Sequence, residues 1–189
     1  MAATSALLAA GLALAAAAPT ALTEGPGNDT EAAWSPDGRQ VVFQSDRGGD
    51  LDLYVLDVAS KRVRPLVTGP GHACFPAWSP DGKWIVYAFA HFTKTAVQGI
   101  ENGYNLFVVP AEGGEPRRLT RGLVRDYTPS FSRDGRHILF SSDRGAEKSS
   151  VGLYRVPFAG GEPERLMHRD ADDVALVQPD LSPDGRLIA

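Results

Sequence analysis

The chain has 189 residues, a net charge of −4 and a hydrophobic fraction of 43%, the composition of one folded domain or slightly more. Its 20 glycines and 14 prolines exceed average usage and predict many tight turns between short strands. The acidic balance argues against an electrostatic nucleic-acid binder. The one cysteine, Cys74, excludes an internal disulfide and cannot hold zinc without further ligands.

Residues 1–21 have the layout of a signal peptide. The stretch carries no charged side chain, and its apolar run from Ala6 to Ala18 is too short to cross a bilayer as a helix. The small residues directly before Pro19 suit cleavage by signal peptidase. We therefore expect an exported protein, periplasmic or extracellular, with no stable membrane span. A short uncleaved anchor is the alternative, because no Lys or Arg precedes the apolar run.

An internal repeat organises residues 22–189. Four turns of the form Ser-(Pro/Arg)-Asp-Gly recur about 44–53 residues apart, and they open at Ser35, Ser79, Ser132 and Ser182. Each complete unit continues with an apolar strand, a second turn, a third strand, a third turn and a short fourth strand. A period of this length with four short strands per unit is the signature of a β-propeller blade. The predicted fold is all-β, with four-stranded antiparallel blades, about three and a half of them, in an incomplete ring.

The connections between strands vary in length on one face of the predicted blades. The connection between the second and third strands is longest in the second unit, where residues 90–103 form an insertion. In an up-and-down blade this connection and the one to the next blade emerge together, on what we call the loop face. Variable loops on a rigid scaffold are where binding usually resides. The candidate partner-binding residues there are Asp29, His72, His91, Phe92, Lys94, Ile100, Asp126 and Tyr127.

These candidates have competing structural interpretations. Asp29 and Asp126 recur at equivalent places where a loop enters the first strand, which favours a turn-stabilising role over ligand contact. His72 lies close to Cys74 in the sequence, but no third group is evident that would orient a catalytic pair. The insertion 90–103 is either a partner-binding finger or a tolerated loop.

The sequence contains no catalytic motif of the common hydrolase, zinc-peptidase or phosphate-loop types. The acidic stretch 46–52 lacks the spacing of a calcium loop. Because Ser-Asp-Arg-Gly recurs at 142–145, we interpret it as a structural turn, whose Asp caps amides and whose Arg bridges to an adjacent loop or blade. We expect no catalytic residue, no metal and no cofactor.

The order Trp-Ser-Pro-Asp-Gly, Ser-Asp-Arg-Gly, Leu-Tyr and Leu-Thr resembles the TolB-type propeller repeat, a WD-repeat-like unit, over residues 22–189. The resemblance implies a non-catalytic exported scaffold that presents its variable loops to a protein or cell-envelope partner, as in the periplasmic Tol–Pal system. Similar blades also cap prolyl-oligopeptidase-type serine peptidases. The alternative is therefore a gating propeller whose catalytic domain lies beyond Ala189. The α/β domain of TolB itself has no counterpart before these blades, and a chain that ended at Ala189 is expected to self-associate or to be a truncated product.

Overall fold

Each of the first three Ser-(Pro/Arg)-Asp-Gly turns is a self-contained hairpin loop between the first two strands of a blade. Ser35 Oγ donates to Asp37 Oδ1 at 2.7 Å and accepts from the amide of Gln40 at 2.9 Å. Gly38 has a φ of 69°, in the left-handed region that glycine adopts without steric cost. The same side-chain contacts recur in the second and third turns. The repeated motif therefore fixes the register of each hairpin locally.

The computed structural model describes residues 20–90, 103–145 and 151–168, which form three four-stranded antiparallel sheets in which sequence order is spatial order. Blade 1 consists of β1 (Asp29–Trp34), β2 (Gln40–Ser45), β3 (Asp52–Asp57) and β4 (Val63–Val67). Blade 2 consists of β5 (His72–Trp78), β6 (Trp84–Ala90), β7 (Asn105–Pro110) and β8 (Arg117–Arg118). Blade 3 consists of β9 (Asp126–Phe131), β10 (His137–Ser142), β11 (Gly152–Pro157) and β12 (Glu164–His168). Within these ranges, no helix is long and apolar enough to cross a membrane.

The innermost strand of each of the three described blades carries a β-bulge at the same place. Glu31, Phe75 and Thr128 occupy equivalent positions and have positive φ angles of 50°, 55° and 48°, and the pairing with the second strand shifts there. A bulge bends a strand and changes the direction of the residues that precede it. The position of the first residues of each innermost strand, at the loop face, therefore depends on the bulge as well as on the hairpin turn at the other end of the strand.

Successive blades pack face to face through apolar side chains. One core lies between blades 1 and 2 and includes Val42, Leu53, Val55, Ile85, Tyr87 and Val109. The other lies between blades 2 and 3 and includes Val86, Leu106, Val108, Ile138, Phe140 and Val156. Blade 2 is therefore apolar on both faces, which is why its strands read as nearly continuous hydrophobic runs.

Repeated hydrogen bonds also join neighbouring blades. Arg64 Nη2 in β4 donates to the carbonyl of Ala111 at 2.6 Å, and the equivalent Arg117 in β8 donates to the carbonyl of Phe158 at 2.6 Å. Trp78 Nε1 in β5 donates to the carbonyl of Ala33 in β1 at 3.0 Å. These bonds complement the apolar packing and fix how each blade is placed on the one before it.

The described blades form an arc, with contacts from blade 1 to blade 2 and from blade 2 to blade 3. Trp34, the counterpart of Trp78 in blade 1, is 56% exposed. Blades 2 and 3 each pack one face against the preceding blade. The corresponding face of blade 1 packs against Leu22. The predicted fold class, four-stranded antiparallel propeller blades in an incomplete ring, is confirmed. Most of the predicted signal peptide and all of the partial fourth unit lie outside the described residues.

Truncation of a side chain in the core between blades should destabilise the fold strongly. Leu106→Ala removes a fully buried side chain, and we expect a loss of about 2–5 kcal/mol in unfolding free energy, because the cavity cannot close. Leu123→Ala is the matched control, since that leucine is exposed. Urea denaturation of both variants checks this, and equal losses would contradict the assignment of the core.

Candidate interaction surface

The loop face gathers the predicted residues that fall within the described ranges. Asp29, His72 and Asp126 are the first residues of β1, β5 and β9, and Tyr127 is the second residue of β9. The innermost strands of all three blades therefore begin on one face. Four further candidates, His91, Phe92, Lys94 and Ile100, lie outside the described residues.

In blade 3, Asp126 is completely buried and forms an ion pair with Arg144 of the second turn. Arg144 Nε donates to Asp126 Oδ1 at 3.2 Å, and the hydroxyl of Ser142 donates to the same oxygen at 2.6 Å. The guanidinium lies over the rings of Phe140 and Tyr154, 5.6 and 5.8 Å from their centroids. Hydrogen bonds and aromatic faces together compensate the burial of the charges.

Blade 1 repeats this arrangement with Asp29 and Arg47. Arg47 Nη2 is 2.8 Å from both oxygens of Asp29, and its guanidinium lies over Phe43 and Tyr54 at 5.2 and 5.0 Å. Burial alone would raise the pKa of Asp29, but hydrogen bonds from Ser45 and Arg47 outweigh it and lower the pKa. These contacts within the blade support the structural role over ligand contact for the aspartate.

The aspartate before each of these arginines caps the loop that enters the blade. Asp46 accepts from the backbone amide of Asn28 at 2.7 Å, and Asp143 accepts from the amide of Arg125 at 2.8 Å. These contacts agree with the prediction that the Asp of the second turn caps backbone amides and that its Arg bridges to an adjacent loop. Both the capped loop and the arginine's partner belong to the same blade as the turn. We call the aspartate–arginine ion pair together with this capping contact the Asp–Arg bracket.

Blade 2 fills the same position with apolar side chains. Its register pairs Ala73 with Phe89 where the other blades pair aspartate with serine. Phe89 packs edge-on against Tyr87 and Phe107, with centroid distances of 6.5 and 5.7 Å. An aromatic cluster therefore replaces the bracket beside the insertion 90–103. The sequence signal was the absence of Ser-Asp-Arg-Gly from the second unit.

A second polar anchor, missed in the sequence, holds the connections between blades. Asp52 and Asn105 are the buried first residues of β3 and β7. Asp52 Oδ1 accepts from the amide of Gly69 at 3.2 Å, and Asn105 Nδ2 donates to the carbonyl of Gly122 at 3.2 Å. Because the two positions are equivalent in the repeat, blades 1 and 2 use the same position to hold the chain that leads into the next blade, whereas blade 3 has Gly152 there.

Electrostatics at the loop face do not favour a nucleophile or a metal. Burial raises the pKa of the Cys74 thiol to about 11, so the thiol is protonated at neutral pH and is a poor nucleophile. Burial also raises the pKa of the Asp52 carboxyl, with the charge of Asp50 adding to the effect. Among the residues that the structure describes, no three His, Cys, Asp or Glu side chains are placed to share a metal ion.

Comparison with known proteins agrees with this architecture. The family model of the Tricorn protease N-terminal beta propeller domain matches residues 52–189. The Tol-Pal system protein TolB of Francisella tularensis is 35% identical over 88 residues, which cover 47% of this chain and 17% of that protein. The predicted resemblance to TolB-type propellers is thereby confirmed.

Two solved structures have the same fold. TolB of Acinetobacter baumannii superimposes with a TM-score of 0.64 at 18% identity, covering 88% of this chain and 38% of that one. A puromycin-hydrolyzing peptidase of Mycobacterium tuberculosis superimposes with a TM-score of 0.64 at 21% identity, covering 84% and 26%. The chain thus spans less than half the length of each of these relatives.

Removal of the buried bracket carboxylate should destabilise blade 3. Asp126→Ala leaves the charge of Arg144 without its partner, and we expect a loss of about 3–5 kcal/mol. Asp29→Ala should cost less, because the Asp29–Arg47 pair is partly exposed. Adding Arg144→Met to Asp126→Ala should recover part of the loss. Urea denaturation tests this, and equal losses for the two aspartates would count against the role of burial.

Asp52→Asn should stabilise the protein at neutral pH. The raised pKa means that ionisation of Asp52 weakens the fold as pH rises from the unfolded value near 3.8 through the folded value. Asparagine keeps a side-chain oxygen that accepts from the amide of Gly69 but carries no charge, so the gain should shrink toward pH 3.8. Asp37→Asn is the control and should destabilise the protein at neutral pH, because the hydrogen bond from Ser35 lowers the pKa of Asp37. Thermal melts across the pH range check both signs.

Proposed function

Because the chain belongs to the family of Tricorn protease N-terminal beta propeller domains, we propose that it is a non-catalytic scaffold that binds a protein partner through its loop face. One observation carries the proposal: the loops of this face are held at their bases by polar side-chain contacts. A loop that is already fixed loses little conformational entropy when a partner binds. The blades thus act as a rigid support for binding loops.

The contact residues are expected among the predicted candidates of the loop face. Asp29 and Asp126 are engaged by Arg47 and Arg144. Tyr127 is partly exposed at the loop face, and tyrosine is a frequent anchor in protein interfaces. We therefore assign partner contact to Tyr127, His72 and the insertion 90–103, whose candidate residues are His91, Phe92, Lys94 and Ile100.

Export and a cell-envelope partner are part of the proposal. The signal-peptide layout of residues 1–21 supports export. The relative from Francisella tularensis is a Tol-Pal system protein, which supports a partner of the same kind. We propose no catalytic step, no cofactor and no metal, since the protonated thiol of Cys74 and the engaged bracket carboxylates are suited to structure.

A second candidate function is a gating propeller of a serine peptidase. The description of the matching family, a propeller domain of a protease, favours it. The coding sequence beyond Ala189 distinguishes the two candidates. Further repeats alone favour the scaffold, whereas a Gly-x-Ser-x-Gly segment followed by Asp and His favours the gate.

Site-specific photo-crosslinking tests the scaffold. A benzophenone amino acid replaces Tyr127 on the loop face, and in a control variant it replaces exposed Lys83 on the turn face. In intact cells of the source organism, we expect the first variant to form an adduct with a cell-envelope protein and the control to form none. Replacement of residues 91–102 by a short Gly-Ser link should weaken the adduct while the thermal melt stays unchanged. Equal adducts from both faces, or none from Tyr127, would refute the proposal.

A further inference from the structure

The loop of residues 121–125, between blades 2 and 3, has features that the blade repeat does not require. Its sequence is Arg-Gly-Leu-Val-Arg, and we call it the Arg–Leu loop. Leu123 is 82% exposed, and Arg121 and Arg125 on either side of it are exposed as well. A single exposed leucine is common on protein surfaces, so the feature to explain is its combination with two exposed arginines, each two residues away along the chain.

The Arg–Leu loop is fixed at both ends. Asn105, itself buried, donates through Nδ2 to the carbonyl of Gly122 at 3.2 Å. Asp143 accepts from the amide of Arg125 at 2.8 Å, and the next amide, that of Asp126, donates to the carbonyl of Tyr104 at 2.9 Å. Leu123 is therefore held out from a backbone that is anchored before and after it.

The equivalent connection between blades 1 and 2 shows that these side chains are unnecessary for joining blades. It has the sequence Thr-Gly-Pro-Gly-His over 68–72 and the same length as the Arg–Leu loop. It carries no arginine and no large apolar residue, yet Asp52 anchors it through Gly69 as Asn105 anchors Gly122. The arginines and the leucine are thus additions to a structural connection that functions without them.

The charges of the Arg–Leu loop are not neutralised within the described part of the chain. Neither guanidinium forms an ion pair there. The neighbouring carboxylates are already engaged, Asp126 by Arg144 and Asp143 by the backbone amide of Arg125. In the sequence, two cationic residues therefore flank an exposed apolar one on a chain of net charge −4.

We propose that the Arg–Leu loop docks an acidic segment of the partner protein, in which Asp or Glu carboxylates flank an apolar side chain. The carboxylates pair with Arg121 and Arg125, and the apolar side chain packs on Leu123. Guanidinium groups bind carboxylates in a planar, two-point geometry, and water exclusion by the apolar contact strengthens those bonds. The inference rests on the proposed function and adds the chemistry of the partner.

A protein segment fits this surface better than an anionic membrane does. Membrane-surface binding by basic residues relies on clusters of several Lys or Arg, and the loop supplies two on a chain that is acidic as a whole. One leucine on a pinned loop is also a small apolar insertion compared with the face of an amphipathic helix.

Peptide selection on the purified full chain tests the inference. Random short peptides displayed on phage are selected against the immobilised protein, and the affinities of those enriched are measured by fluorescence anisotropy. We expect sequences with Asp or Glu on both sides of an apolar residue, and binding that weakens with salt. Leu123→Ser, and Arg121→Glu combined with Arg125→Glu, should each weaken binding about tenfold or more.

Charge reversal on the opposite face is the matched control. Arg39→Glu combined with Arg136→Glu makes the same change in net charge at exposed turn residues and should leave peptide affinity unchanged. Thermal melts show that all variants fold. The inference is overturned if no acidic peptide is selected, if the loop variants bind as the wild type does, or if the chain instead binds phosphatidylglycerol vesicles through Leu123.

The crosslinking experiment separates this inference from the proposed function. If the adduct formed from position 127 persists when Arg121 and Arg125 are both changed to Glu, the scaffold stands and the acidic-segment inference fails. If no adduct forms from the loop face in the wild-type background, the scaffold proposal fails, whatever peptides are selected.

Discussion

Packing between blades is the constraint on which the rest of this structure depends. A blade such as blade 2 buries apolar side chains on both faces, with Ile85 and Tyr87 toward blade 1 and Val86 and Leu106 toward blade 3. Its own hydrogen bonds cannot bury these surfaces, so it needs a neighbour on each side. That requirement buries the central strands on both faces and leaves the two ends of each blade, the turn face and the loop face, as exposed surfaces along with the outermost strands.

The two ends of the blades use polar side chains differently. On the turn face, the contacts are made within a few residues, as between Ser35 and Asp37, and they close a hairpin. On the loop face, they join residues far apart in sequence, as between Asp126 and Arg144, and they place the start of the innermost strand. The variable loops lie outside the segments that these pairs enclose. Hence loop length and composition can change on one face without disturbing the blades.

The fold followed from the sequence because its strongest signals are local. The three described turns and the order of strands within each described blade depend on contacts within short segments. The bulges at Glu31 and Thr128, the bonds from Arg64 and Arg117 to the next blade, and the anchors Asp52 and Asn105 did not follow. They depend on backbone bending or on contacts between blades, which no short motif encodes. In the candidate site, the repeat shows that Asp29 and Asp126 are equivalent. It predicts that the arginines bridge to an adjacent loop or blade but does not identify these aspartates as their partners.

Blade 2 shows that structure alone does not determine the chemistry of the loop face. Where blades 1 and 3 place an aspartate, a serine and an arginine, blade 2 places Ala73 and Phe89, and the backbone register is unchanged. Both solutions fill the same volume beside an aromatic pair, one by ion pairing and one by ring packing. The same backbone register therefore accepts either arrangement, and the register of the strands does not determine which side chains the loop face carries.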